Sequence, residues 1–206
     1  MERIQAAIAK ARAARETIDT GPAPAPAEAA VPPPAAREAE RPAAPAPSET
    51  PETAWLQLPE FRPKARTLRR ARITSLESGP EALPFDVLRT RMLQQMRTNG
   101  WRRIGITSAT AGTGKSVLSL NLAFSLARQP DQRTILIEAD LRRPSLSRYL
   151  GLKSRHEVHQ VLSGTAAFAD HAQRYGTNLA IATQARSLRA PAEILQAKAC
   201  RNALDA

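Results

Sequence analysis

Residues 109 to 116 read Ala-Thr-Ala-Gly-Thr-Gly-Lys-Ser, an order of residue types suited to holding phosphate. Gly112 and Gly114 let the backbone curl so that successive N–H groups turn inward toward anionic oxygens, in a nest that a Cβ would obstruct. Lys115 then reaches the β- and γ-phosphates as a point charge, and the Ser116 hydroxyl is placed to ligate Mg²⁺. Ala111 and Thr113 complete a candidate nucleotide cradle over 111–116, with Ala109 standing where the pattern usually has its first glycine. Such a stretch can arise by chance as a glycine-rich turn, so the elements on either side decide its meaning.

A second cluster reads Glu138-Ala-Asp140-Leu-Arg142-Arg-Pro-Ser145. It follows the run Thr134-Ile-Leu-Ile137, which is continuously apolar, as strands buried on both faces are. Side chains at the C-terminal ends of parallel strands line the ligand crevice. Two residues apart, Glu138 and Asp140 are expected on one face. Asp140 would serve as a Mg²⁺ ligand, directly or through water, and the pair as the catalytic carboxylates that supply a base to accept the proton of an attacking hydroxyl. The structural alternative is that Asp140 caps the following turn and Glu138 pairs with an arginine.

The positioning elements are read from periodicity. Arg103-Ile-Gly-Ile-Thr-Ser108 predicts a short strand, and Ser116 to Arg128 a helix that is apolar nearly all round. Together with 134–137 they make a right-handed parallel βαβ unit, with the glycine-rich stretch at its first strand-to-helix turn. Phe85, Leu88, Met92 and Met96 recur at helical steps and predict an amphipathic helix over 84–98, ended by Asn99-Gly100. A third strand is expected over 178–183, and a last helix after Pro191 at its first position.

Composition divides the chain. Of 206 residues 30 are Lys or Arg and 19 Asp or Glu, a formal charge of +11; residues 1–60 carry −3, 61–72 carry +6 and 73–206 carry +8. Residues 1–20 predict a short amphipathic helix. Residues 21–60 read as a disordered Ala/Pro-rich linker, because Ala and Pro fill 20 of the 30 positions from Gly21 to Thr50 and leave nothing large to bury. Residues 61–82 read as a basic linker around Arg62, Lys64, Arg66, Arg69, Arg70 and Arg72, whose charge suits an anionic membrane contact through 62–72. The scarcity of aromatic residues, Trp55 and Phe61 nearby, argues against nucleic acid. One cysteine, Cys200, closes no internal disulfide. No apolar run approaches the roughly 18 residues of a spanning helix, and charges interrupt the N-terminus; a cytoplasmic protein is expected.

The glycine-rich stretch followed by ILIEADLRRPSLSRYLGL, the segment APAEILQ at 190–196 and the opening MERIQAAIAKARAARE together resemble the bacterial tyrosine kinases of capsular and exopolysaccharide biosynthesis. Over residues 83–206 the resemblance implies an α/β, parallel-sheet P-loop NTPase domain. It implies an ATP- and Mg²⁺-dependent protein-tyrosine autokinase that regulates polysaccharide assembly. It also implies a membrane-embedded polysaccharide co-polymerase as partner, a homo-oligomer, and a location at the inner membrane through that partner. Three departures from the family pattern stand out. Glu138 replaces the usual Asp, and of the oligomer motif E-x-x-R-x-x-R, falling on Leu83, Asp86 and Arg89, only Arg89 matches. The chain also stops at Ala206, ahead of the strand with a further metal-organising aspartate and of the tyrosine-rich tail. The expectation is an incomplete domain with an unpaired neighbouring strand and little kinase activity by itself. Two other readings are a partition or division-site ATPase, disfavoured because Thr110 stands where that group carries a signature lysine, and a noncatalytic nucleotide-binding adaptor.

Overall fold

The computed structural model describes residues 51–153 and 156–205; the helix expected over 1–20 and the Ala/Pro-rich stretch to residue 50 lie outside the described residues. The centre is a three-stranded sheet of β1 (Thr134–Ile137), β2 (Ala172–Tyr175) and β3 (Leu179–Ala182), in the order β1-β3-β2. All four residues of β3 are buried. β1 pairs with β3 in parallel, Thr134 opposite Leu179 and Ile137 opposite Ala182. β2 pairs with β3 antiparallel through a turn at 176–178 in which Gly176 has φ +58°. The sheet is therefore mixed, which corrects the expectation of a parallel one. Three residues suffice to close an antiparallel hairpin, whereas a parallel neighbour needs a crossover of about a dozen.

The strand expected at 103–108 is not part of the sheet. This segment carries no ladder among the described residues, and Trp101 and Ile104 are 57% and 45% exposed. Ile135 in β1 is also half-exposed, against the expectation of burial on both faces. Alternating apolar residues state a preference for extended backbone, but a strand also needs a neighbour to satisfy its N–H and C=O groups. Of the expected βαβ unit, the helix and the second strand form as read.

The helix after the glycine-rich stretch runs Lys115–Ala127 and buries Leu120 through Leu126. One face meets the helix Leu83–Asn99, where Leu93 packs on Leu122 and Leu126. That helix ends as expected: Gly100 has φ +67°, and the Trp101 N–H returns to the Met96 carbonyl at 2.9 Å. Its buried stripe is rotated from the one expected. Leu88 is exposed, whereas Asp86 and Arg89 turn inward to Ser125 and Arg128.

The other face carries the main correction to domain organisation. Residues 61–82 are not a linker. They include a helix at Ala65–Arg70, and Phe61, Leu68 and Ile73 enter one core with Leu120, Phe124, Leu150 and Ile181. Tyr175 stacks edge-on against Phe124 at 5.1 Å and tilts against Phe61 at 5.9 Å. Asn121, fully buried in the 115–127 helix, fastens the segment by side-chain bonds. Its Oδ1 accepts the Thr74 and Ser75 N–H groups at 2.8 and 3.1 Å, and its Nδ2 donates to the Arg72 and Val117 carbonyls, both at 3.0 Å. Helix Pro51–Gln57 and buried Leu58 extend the folded unit further toward the N-terminus, so the boundaries expected at 60 and 82 are both displaced. Three apolar side chains spread among six cations read as solvated chain until their partners are known.

Candidate nucleotide-binding site

The glycine-rich stretch is an exposed loop leading into the 115–127 helix. Gly112 and Gly114 have φ +78° and +91°, a region L side chains rarely adopt. A Cβ built on either glycine would meet nothing within 4 Å. The glycines are thus required by backbone conformation, and the space before them is open. Gly114 is the N-cap, and its carbonyl accepts the Leu118 N–H at 2.9 Å. The first-turn N–H groups of such a helix have no intrahelical partner, and they add the positive end of its dipole.

Lys115 folds back over this loop. Its Nζ donates to Ser108 Oγ at 2.8 Å and the Thr110 carbonyl at 3.3 Å. The Thr113 hydroxyl donates to Ser108 Oγ at 2.8 Å, and Ser108 in turn donates to the Thr110 carbonyl at 2.7 Å. Ser108 therefore organises the cation and the loop together. Reading by motif spacing missed it, although its place at the end of the apolar run 104–107 was a usable signal.

The two acidic residues stand in different environments. Glu138 is 4% exposed, whereas Asp140 is exposed. Glu138 Oε1 accepts the backbone N–H groups of Ser145 and Leu146 at 2.5 and 2.9 Å, and Oε2 accepts that of Gln184 at 2.9 Å. Burial pushes its carboxyl up from the usual range; the three N–H groups oppose that shift, and the nearby Asp140 charge adds to it. A buried carboxylate with three donors on it is positioned as a brace between the ends of β1 and β3. Its partners are backbone amides, where an arginine was the structural alternative. The strand ends at Ile137, so the two-residue alternation that would have placed both carboxylates on one face no longer applies.

Asp140 takes its structural alternative in part. Oδ1 accepts the Arg143 N–H at 3.0 Å, capping the turn. The group remains in solvent, where a carboxylate keeps capacity for a further ligand.

Ser145, which the sequence reading did not single out, joins the two motifs. Its hydroxyl lies 2.8 Å from that of Ser116 while its N–H is held by Glu138. Gln184 was also missed. Its backbone binds Glu138, and its side chain bonds Glu157 and the Arg186 carbonyl.

No protein-family model matches the chain. Tyrosine-protein kinase Ptk of Acinetobacter johnsonii is 32% identical over 136 residues, 65% of this chain and 17% of that protein. The solved BceF tyrosine kinase domain superposes with a TM-score of 0.56 at 26% identity, over 72% of this chain and 64% of that domain. Over these stretches the chain is similar to bacterial tyrosine-kinase domains. The chimerical protein CapA2B2, at 20% identity and a TM-score of 0.54, shares the fold over 73% of this chain and 66% of its own.

Within the domain, the residue left from the expected oligomer motif is engaged internally. Arg89 donates to the Ser125 carbonyl and hydroxyl at 2.8 and 3.1 Å and pairs with Asp86 at 3.3 Å. Of the two tyrosines, Tyr175 is packed between Phe61 and Phe124 with its hydroxyl pKa pushed up, chiefly by burial. Tyr149 lies under the Arg148 guanidinium. No helix among the described residues is long and apolar enough to cross a membrane.

Proposed function

We propose that this domain binds ATP with Mg²⁺ through residues 111–116 and serves as an ATP-dependent protein-tyrosine kinase domain of exopolysaccharide biosynthesis. The observation that carries the reading is the loop itself: two glycines at positive φ with open space before them, the start of a 13-residue helix, and the Lys115 ammonium over the loop. The kinase step rests on the likeness to Ptk and to the BceF kinase domain. The chain spans only 17% of the length of Ptk, and the activity of the whole protein belongs to the proposal.

In this reading the loop N–H groups and Lys115 bind the polyphosphate. Displacing Nζ from Ser108 and Thr110 costs little, because phosphate oxygens replace neutral acceptors with charged ones. Ser116 and Asp140 would hold Mg²⁺, which would neutralise developing charge on the phosphates. A metal there would be held by one carboxylate, one hydroxyl and the substrate's phosphates. Asp140 is also the carboxylate left in water to accept a proton from an attacking hydroxyl, while Glu138 holds the Ser145 turn beside Ser116. A membrane-embedded co-polymerase as partner, and self-association, belong to the same proposal.

Calorimetry with Mg-ATP on wild type and Lys115→Ala tests it. Loss of a charge-assisted contact worth about 1.5–3 kcal/mol predicts at least about a tenfold weaker affinity. Equal affinities would overturn the assignment of the loop. Labelled ATP with a tyrosine-containing acceptor then separates kinase from ATPase: phosphotyrosine supports transfer, and free phosphate alone supports hydrolysis.

A further inference from the structure

Independently of the kinase reading, we infer that the domain carries a cationic face that docks on an anionic lipid leaflet, built from the helix Ala65–Arg70 and the neighbouring helix Leu146–Leu150 with the residues after it. In the first segment the apolar side chains Phe61, Leu68 and Ile73 all turn into the core, whereas Arg62, Lys64, Arg66, Arg69, Arg70 and Arg72 are all exposed. Arg62 pairs with Glu60 at 3.4 Å. The other five make no ion pair with any described residue, and no acid occurs between Glu60 and Glu77.

The fold adds cations that are remote in sequence. Thr67 packs on Gly151, where a Cβ would sit 3.3 Å from the threonine methyl. That contact brings exposed Arg148 and Lys153 beside the 65–70 helix. Two segments in contact thus carry seven exposed cations that make no ion pair with any described residue. Holding like charges together opposes folding, and an external anionic surface relieves it.

Lipid fits this face better than nucleic acid. Base stacking needs available rings, but Phe61 is 6% exposed, Trp55 is covered by Arg133 at 5.9 Å, and Tyr149 by Arg148 at 5.2 Å. The 65–70 helix is under two turns long and packed against the domain, so it does not enter a groove. With its apolar residues inside, the face binds by charge alone, each cation strengthening attachment about fivefold.

The test is co-sedimentation of the full chain with phosphatidylcholine vesicles with and without phosphatidylglycerol. Binding is expected only with the anionic lipid and should fall as salt is raised. The triple variant Arg66→Ala/Arg69→Ala/Arg70→Ala should bind about a hundredfold more weakly, and the corresponding triple lysine variant close to wild type. Circular dichroism checks that each variant is folded; if the alanine variant is not, the salt dependence of wild type and the lysine variant decide. Absence of binding to the anionic vesicles, binding that salt leaves unchanged, or equal binding by a folded alanine variant would overturn the proposal. Tighter association with duplex DNA or RNA than with the vesicles would overturn it in favour of nucleic acid.

Discussion

The hydroxyls of Ser116 and Ser145 lie 2.8 Å apart, joining the first turn after the glycine-rich loop to the turn that follows the edge strand β1. Ser145 is fixed from behind by Glu138. A carboxylate deep in the sheet edge therefore reaches the candidate metal ligand Ser116 through one intermediate residue, without touching the site itself.

Removing the link should be felt at the metal. Ser145→Ala leaves Ser116 free to rotate among its staggered rotamers, so metal-dependent nucleotide affinity should fall severalfold while metal-free affinity holds. Paired titrations with and without Mg²⁺ measure this, and an equal effect in both would mean the contact is only structural.

Asp140→Asn retains an oxygen for the Arg143 N–H, so the turn and the melting temperature should change little. The carboxylate charge is lost. The Mg²⁺ concentration needed to saturate nucleotide binding should rise about tenfold or more, as expected from losing a charged ligand. A superimposable Mg²⁺ titration would reduce Asp140 to a turn cap.

Glu138 makes a pH signature. Its carboxyl is raised above the ordinary value of 4.5, principally by burial, so between that value and the raised one the folded state holds more proton than the unfolded. Stability from this group is then fully present below about pH 4.5 and declines as pH rises through the raised value. Glu138→Gln cannot titrate and presents an N–H₂ where one of three backbone donors needs an acceptor, costing about 1–3 kcal/mol. The stability gap between wild type and this variant should be widest near pH 4.5 and narrow toward neutrality in urea unfolding. A gap that widens with pH would reverse the sign of the shift.

Asn121→Leu conserves bulk but strips six hydrogen bonds from a fully buried position. Buried donors left unmade cost about 1–3 kcal/mol each, against a total stability of about 5–15 kcal/mol for a domain. Unfolding should shift to markedly lower denaturant, and proteolysis should begin in 61–76. Cleavage elsewhere first would mean the segment is held by its apolar residues alone.

The glycine-rich loop, the buried helix, the strand at 134–137 and the cap at Gly100 were all legible, because local periodicity and glycine placement determine them. What escaped depended on distant partners. Asn121 reads as an unremarkable polar residue in an apolar helix until Thr74 and Ser75 stand beside it. Residues 61–76 read as solvated because charge density hides three well-spaced apolar anchors. The segment 103–108 has strand texture without a ladder partner among the described residues, and the three amides that hold Glu138 come from positions 145, 146 and 184, which its local pattern does not announce.

The place of Asn121 has a thermodynamic consequence. It lies six residues from Lys115 on the same helix, about 9 Å of axial rise, so the charged outer segment and the phosphate loop hang from one stiff rod. Reciprocity then binds the two: whatever factor an occupied lipid face imposes on nucleotide affinity, the nucleotide must impose on lipid attachment. Measuring both factors on the same sample would show whether the domain senses the surface it rests on; two factors of one would make the rod a mere support.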